Sequence, residues 1–193
     1  MAIILFGGSF DPIHNGHLAM AKAALDFLPQ ATLMFMPAAC SPFKVGKTQT
    51  AEHHRFAMCS LAANDPRMQV SDLEFLLPKP SYTVRTVEHL QKETPDDYYF
   101  LCGADSFLTL ERWKDYDSLL RKVTFLVTVR EGSTKEDLTA KQQWVKEQGG
   151  KVHLLAMPRV DVSSTNVRAA TDPTAYVPLS VARYIQENGL YRE

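Results

Sequence analysis

His14 and His17 stand three positions apart with Gly16 between them, closing a run that begins Gly7-Gly8-Ser9-Phe10-Asp11-Pro12-Ile13. Imidazoles at that spacing can face the same side of a helix start. The glycines remove side chains, so backbone N–H groups can approach an anion closely. A second segment, Val162-Ser163-Ser164-Thr165-Asn166-Val167-Arg168, joins a serine cap and hydroxyls to a guanidinium one turn further on. Each segment reads as an anion site, though an ordinary capped helix with a surface arginine would look like the second. Neither paired carboxylates nor a Ser-His-Asp arrangement stands out. Zinc at His14 and His17 would need further ligands, and none has helpful spacing. Gly46-Lys47-Thr48 does not complete a Walker A loop, because Ser41 occupies the position of its first glycine. The dinucleotide fingerprint G-x-G-x-x-G is also absent.

These segments need a frame. Short apolar runs alternate with amphipathic ones, which predicts βαβ units and a parallel sheet. Strands are expected at 2–6, 32–36 (stopped by Pro37), 68–70, 98–102, 123–129 and 152–155. Helices are expected at 17–28, 51–63, 83–92, 138–148 (closed by Gly149-Gly150) and 181–187, the last with Gly189 just beyond it. On helix 17–28, Leu18, Ala21, Leu25 and Leu28 share a face; Phe56, Met58 and Leu61 are the apolar residues of helix 51–63. The run Ala2 to Phe6 has no polar position, as a central strand buried on both sides requires. The expected fold is α/β: a Rossmann-like, doubly wound parallel sheet of five to six strands, helices on both faces, in a single domain. Ligands in such sheets bind beyond the carboxyl ends of the strands, where strand order reverses. The chemistry is therefore sought just after Phe6, Met36, Cys102 and Val129.

H-x-G-H at His14, Gly16 and His17, with S-x-T-x-x-R at Ser163, Thr165 and Arg168, resembles the nucleotidyltransferase superfamily of adenylyl- and cytidylyltransferases. Within it, the order of motifs is similar to that of the bacterial nicotinate-nucleotide adenylyltransferases. The opening loop Gly7 to Leu18, Pro80-Ser81-Tyr82-Thr83 with Thr86, Gly103-Ala104-Asp105-Ser106 with Trp113, and Tyr184-Ile185 through Gly189-Leu190-Tyr191 all fit that pattern. The resemblance implies one nucleotidyltransferase domain over 1–193, with a helical subregion at 160–193 carrying S-x-T-x-x-R. It implies transfer of AMP from ATP to the 5′-phosphate of nicotinate mononucleotide, giving deamido-NAD and pyrophosphate, with no covalent intermediate. Magnesium is expected to arrive with ATP, and no metal site belonging to the protein itself is expected.

A phosphate monoester has a second pKa near ~6, so at neutral pH the acceptor is already largely dianionic and needs no general base. Alignment and positive charge are what remain to be supplied. His14, His17, Lys44 and Arg168 are the candidate catalytic donors. The resemblance places the two histidines at the α-phosphate and Ser163, Thr165 and Arg168 at the β- and γ-phosphates. It extends the ATP site to Gly7, Gly8, Ser9, Phe10, Gly16, Gly103, Asp105 and Arg130. For the acceptor it implies the amides of Thr83 and Lys114 on the nicotinate carboxylate, Trp113 against the ring and Asp105 on a ribose hydroxyl. A carboxylate only accepts hydrogen bonds, so N–H donors at a helix start favour it over an amide. One position departs from the pattern: Pro42-Phe43-Lys44 has Phe43 where the family carries histidine, so one polar contact to phosphate is lost or supplied elsewhere, while Lys44 keeps the basic group.

The formal net charge of −1 gives no basic excess, so neither nucleic acid nor an anionic membrane is an expected partner. The apolar start at 1–6 is too short for a signal peptide or a membrane span. Three cysteines (Cys40, Cys59 and Cys102) without a C-x-x-C pair suit reduced thiols in a cytoplasmic protein. Homo-oligomer formation stays open. Two rival readings remain: a transferase for another phosphorylated acceptor (pantetheine phosphate, nicotinamide mononucleotide or a sugar-alcohol phosphate), and a nucleotide-binding module without catalysis.

Overall fold

Apolar strands and their amphipathic crossovers hold the loops in place. The structure, a computed structural model, describes residues 1–192 apart from Val45, Lys47 and 131–134. The chain runs β1 (Ala2–Gly8), α1 (Asn15–Phe27), β2 (Thr32–Pro37), a 3-10 turn (Pro42–Lys44), α2 (Glu52–Ala62), β3 (Met68–Val70), α3 (Leu73–Leu76), α4 (Thr83–Glu93) and β4 (Asp97–Gly103). It continues through α5 (Ala104–Leu108), a 3-10 turn (Leu110–Arg112), α6 (Tyr116–Lys122), β5 (Thr124–Arg130), α7 (Lys135–Glu147) and β6 (Lys151–Met157). It closes with α8 (Ser164–Ala169), a 3-10 turn (Pro173–Ala175) and α9 (Leu179–Glu187).

The strands form one six-stranded sheet in the order β3-β2-β1-β4-β5-β6, and every pairing is parallel. Successive side chains on a strand point to opposite faces. Ile4 and Phe6 thus join a core with Ala21, Leu25, Met58 and Ile185 from α1, α2 and α9. Leu5 joins the other core, with Val87, Leu119 and Val145 from α4, α6 and α7. Both faces of the sheet are covered, as the doubly wound expectation requires. Among the described residues, no helix is long and apolar enough to cross a membrane.

Strand order reverses at β1. That strand pairs with β4 only as far as Leu5↔Phe100, but with β2 as far as Gly8↔Pro37. Its carboxyl end therefore leaves β4 and follows β2. A crevice opens between residues 6–8 and 101–103, where an open α/β sheet takes its ligands.

Some elements differ from the expectation. Helix α1 begins at Asn15 rather than His17, because His14 serves as its N-cap. Strand β2 includes Pro37, which needs no N–H at a strand end. The buried face of α2 is Arg55, Met58, Cys59 and Ala62, while Leu61 is exposed. Helices α3, α5 and α6 were not expected; they span two turns or fewer, too short to show a period. Gly149 and Gly189 do sit just past helices with φ of 80° and 60°, the left-handed geometry that glycine accepts without strain.

Candidate active site

The H-x-G-H segment is a capping box made of two imidazoles. The His17 N–H donates to His14 Nδ1 at 3.4 Å, and the His14 N–H donates to His17 Nδ1 at 3.2 Å. The rings stack with centroids 3.7 Å apart and planes 22° apart. A backbone N–H can donate only to an unprotonated ring nitrogen. Both Nδ1 atoms are therefore acceptors, and the neutral rings carry their protons on Nε2, a tautomer assigned from the donors they face. Phe6 and Phe10 hold the His17 ring edge-on at 5.9 and 5.0 Å. The box satisfies two N–H groups of the helix start and aims it, with its partial positive charge, at the crevice.

Gly16 is required by a close approach. A Cβ there would lie 3.1 Å from the His14 ring and 3.1 Å from Val162. Gly16→Ala is therefore expected to displace the His14 ring or the 162–168 segment and to lower kcat by roughly tenfold or more. Steady-state kinetics check this; an alanine variant with wild-type kcat would show that neither neighbour needs its present position.

The second segment docks on the same loop. Ser163 caps α8, its Oγ accepting from the Asn166 N–H at 3.2 Å. The Ser164 hydroxyl donates to the Pro12 carbonyl at 3.0 Å. Arg168 donates from Nη1 to the Asp11 carbonyl at 2.7 Å and from Nη2 to the Thr165 hydroxyl at 3.3 Å. Two stretches about 150 residues apart in sequence thus meet as one surface.

A cavity of about 670 Å³ fills the crevice between β1 and β4, within the range of small-molecule sites. Gly7, Gly8, Ser9 and His17 line one side, and Thr83, Gly103, Trp113 and Lys114 line the other. Thr83 opens α4, whose N-cap Tyr82 supplies no side-chain cap. Ser81 ties this start to the chain after β2: its hydroxyl accepts from the Ala39 and Cys40 N–H groups at 3.1 and 3.4 Å. Trp113 stands edge-on to Phe100, with centroids 5.4 Å apart. Lys114 pairs with Asp115 at 3.3 Å. Phe43 lines the cavity although half exposed. Cys102 also reaches the lining, but burial pushes its thiol up to about 12, so it stays protonated and inert.

The remaining candidates are not in that lining. His14 and Gly16 lie behind His17 in the capping box, and Phe10 is buried, its ring 3.0 Å from where a Cβ on Gly8 would sit. Asp105 is exposed in the first turn of α5, next to the lining residue Ser106. Ser163, Thr165 and Arg168 flank loop 11–16. The side chains of Lys44 and Arg130 lie outside the described residues. Sequence reasoning missed Glu74. It is buried at the cavity wall, and one carboxylate oxygen accepts from the Thr86 hydroxyl in the first turn of α4. It also missed Arg55. Single-sequence patterns do not reveal a buried charge, since each reads as a solvated position. Among the described residues, no group of three or more His, Cys, Asp or Glu side chains is placed to hold a metal ion.

Residues 5–170 match the family described as cytidylyltransferase-like. A probable nicotinate-nucleotide adenylyltransferase of Symbiobacterium thermophilum is 41% identical, over 98% of this chain and 94% of its own length. One of Neisseria meningitidis is 36% identical, over 98% of each chain. In fold, the chain is similar to the nicotinic acid mononucleotide adenylyltransferase of Plasmodium falciparum complexed with NaAD, with a TM-score of 0.78 at 21% identity, covering 98% and 97% of the two chains.

Proposed function

The chain belongs to the cytidylyltransferase-like family, among its nicotinate-nucleotide adenylyltransferases, and we propose that it joins ATP to nicotinate mononucleotide. The acceptor's 5′-phosphate attacks the α-phosphorus of ATP, AMP is transferred, and pyrophosphate leaves; the other product is deamido-NAD. The observation that carries this reading is that one cavity at the strand-order reversal joins two walls. One of its walls is the H-x-G-H helix start, and the other is the uncapped start of α4 with Trp113.

Each residue is assigned a role by what it can donate. The Nε2–H of His17, supported by the stacked His14, meets the α-phosphoryl oxygens where charge grows during transfer. The backbone N–H of Ser9, together with the α1 dipole, adds to that field, and Gly8 keeps the wall free of a side chain. Arg168, Ser163 and Thr165 receive the β- and γ-phosphates, and Lys44 the same charge from the opposite loop. Gly103, Asp105 and Arg130 are assigned to the nucleoside side of ATP, with Asp105 accepting from a ribose hydroxyl. Free N–H groups at Thr83 and Lys114 take the nicotinate carboxylate, and Trp113 takes its ring. The dianionic acceptor needs no base, so the protein's contribution is alignment and electrostatics. Magnesium enters with ATP, held by triphosphate oxygens and water as a hard cation prefers.

The test is pyrophosphate release from Mg-ATP with nicotinate mononucleotide, run beside pantetheine phosphate and sugar-alcohol phosphates. Rapid release with the nicotinate nucleotide alone among these is expected, and chelation of magnesium should abolish it. Silence with every acceptor would favour a binding module.

A further inference from the structure

The Gly189-Leu190-Tyr191 motif has no part in the chemistry assigned so far. After α9, Gly189 and Tyr191 both take positive φ, 60° and 62°. Glycine accepts that conformation freely, but for tyrosine it is strained and must be held by its surroundings. The phenol is held at the far end: its hydroxyl donates to Asp11 Oδ1 at 2.8 Å, a contact spanning 180 residues of sequence. Burial pushes the Tyr191 phenol up, so it remains a donor at any working pH.

Asp11 is itself buried within the phosphate loop. Its second carboxylate oxygen accepts from the Thr50 N–H at 3.3 Å, and its carbonyl accepts from Arg168 at 2.7 Å. The countercharge is Arg55, 1% exposed on α2. Its guanidinium donates to the carbonyls of Ser9 at 2.9 Å, Ala38 at 2.7 Å and Thr50 at 2.9 Å. Burial lowers the pKa of that guanidinium, and the Asp11 carboxylate opposes the effect. One buried ion of each sign thus ties the loop after β1, the chain after β2 and the residues following α9 to a single point.

We propose that Tyr191, acting through Asp11, is a positioning residue for the triphosphate site: it holds the carbonyl on which the Arg168 guanidinium rests. An arginine with two donors anchored on protein oxygens keeps its remaining N–H groups in one orientation for phosphate. Freed from Asp11, it would have to be ordered by the ligand, and binding would weaken. Arg55 serves the same point from the other side by fixing the backbone before and opposite Asp11.

This inference rests on the triphosphate role assigned to Arg168, and its test separates the two. Tyr191→Phe removes only the hydroxyl. It should raise the KM for ATP and the Kd of a non-hydrolysable ATP analogue by roughly tenfold, with the KM for nicotinate mononucleotide unchanged. In a double-mutant cycle, Tyr191→Phe added to Arg168→Ala should weaken ATP binding no further than Arg168→Ala alone. Additive losses, an equal rise in both KM values, or an unchanged Kd for the analogue would each overturn the proposal. Tyr191→Trp and Asp11→Asn, followed by thermal unfolding and analogue binding, guard against a folding artefact: a loss of stability without loss of analogue affinity would also overturn it. A wild-type protein that binds the analogue but releases no pyrophosphate would defeat the functional reading while leaving the cycle measurable.

Discussion

Replacing His17 with glutamine is expected to lower kcat by roughly 10²–10³-fold, equivalent to about 2.7–4 kcal/mol of transition-state stabilisation, while ATP binds almost as before. The split follows from where the charge develops. A donor aimed at the α-phosphoryl oxygens matters most when they gain charge during transfer, and less in the bound ground state. Glutamine is chosen because of the capping box. Its side-chain oxygen can replace Nδ1 of His17 as acceptor of the His14 N–H, as glutamine does at this helix position in other proteins. It cannot place a donor where Nε2–H stood. His17→Ala should lose both, adding a stability cost of about 0.5–2 kcal/mol for the broken cap. Single-turnover kinetics and ATP-analogue binding on both variants check this. A glutamine variant with near-normal kcat would mean that the imidazole matters for the helix start alone.

Thr83→Pro should undo the preference for acid over amide with little effect on stability. Proline is well accepted at the first position of a helix, where its missing N–H has no intrahelical partner. Tyr82 before it already has φ −89° and ψ 120°, the extended geometry a following proline demands. The substitution therefore deletes one donor and leaves α4 standing. A hydrogen bond to a charged acceptor contributes about 1.5–3 kcal/mol, so kcat/KM for nicotinate mononucleotide should fall roughly 10–150-fold. Nicotinamide mononucleotide offers a neutral carbonyl and an NH₂ that faces donors, so the wild type should use it at least roughly a hundredfold less well. The variant should use it nearly as the wild type does, which collapses the ratio. Competing-acceptor assays and thermal melts give both quantities. Equal use of acid and amide by the wild type would remove Thr83 and Lys114 from the carboxylate site. A proline variant that keeps the full preference would remove Thr83 alone.

Much of the site was legible because it lies in continuous runs. The glycine-rich turn, the paired histidines and the serine-capped arginine segment each carry their chemistry within about a dozen residues. The position of the turn after β1 followed from the short, wholly apolar run Ala2 to Phe6 that ends at two glycines. Phe43, which stands where the resemblance implies histidine, lies on the cavity lining. Glu74 and Arg55 escaped for the opposite reason. Each is a charged residue in an otherwise ordinary amphipathic stretch, and its burial depends on partners far away in sequence, Thr86 for one and Ser9 and Ala38 for the other. The short helices α3, α5 and α6 escaped because they are held by tertiary packing rather than by a periodic face.

By itself the sequence determined the alternation of strands and helices, the two candidate anion segments and the family to which their order belongs. Those are properties of local spacing, and spacing is written in the chain. The tertiary structure alone decided which segments meet. β1 parts from β4 after Leu5 and follows β2 to Gly8, so the crevice opens between the histidine helix and the start of α4. Val162 packs on Gly16, so the arginine segment lands on the histidine loop. Asp11, unremarkable in the sequence, becomes the point where Arg168 and Tyr191 converge. Contacts of that kind depend on the three-dimensional closure of the whole sheet, and no window of sequence contains both partners.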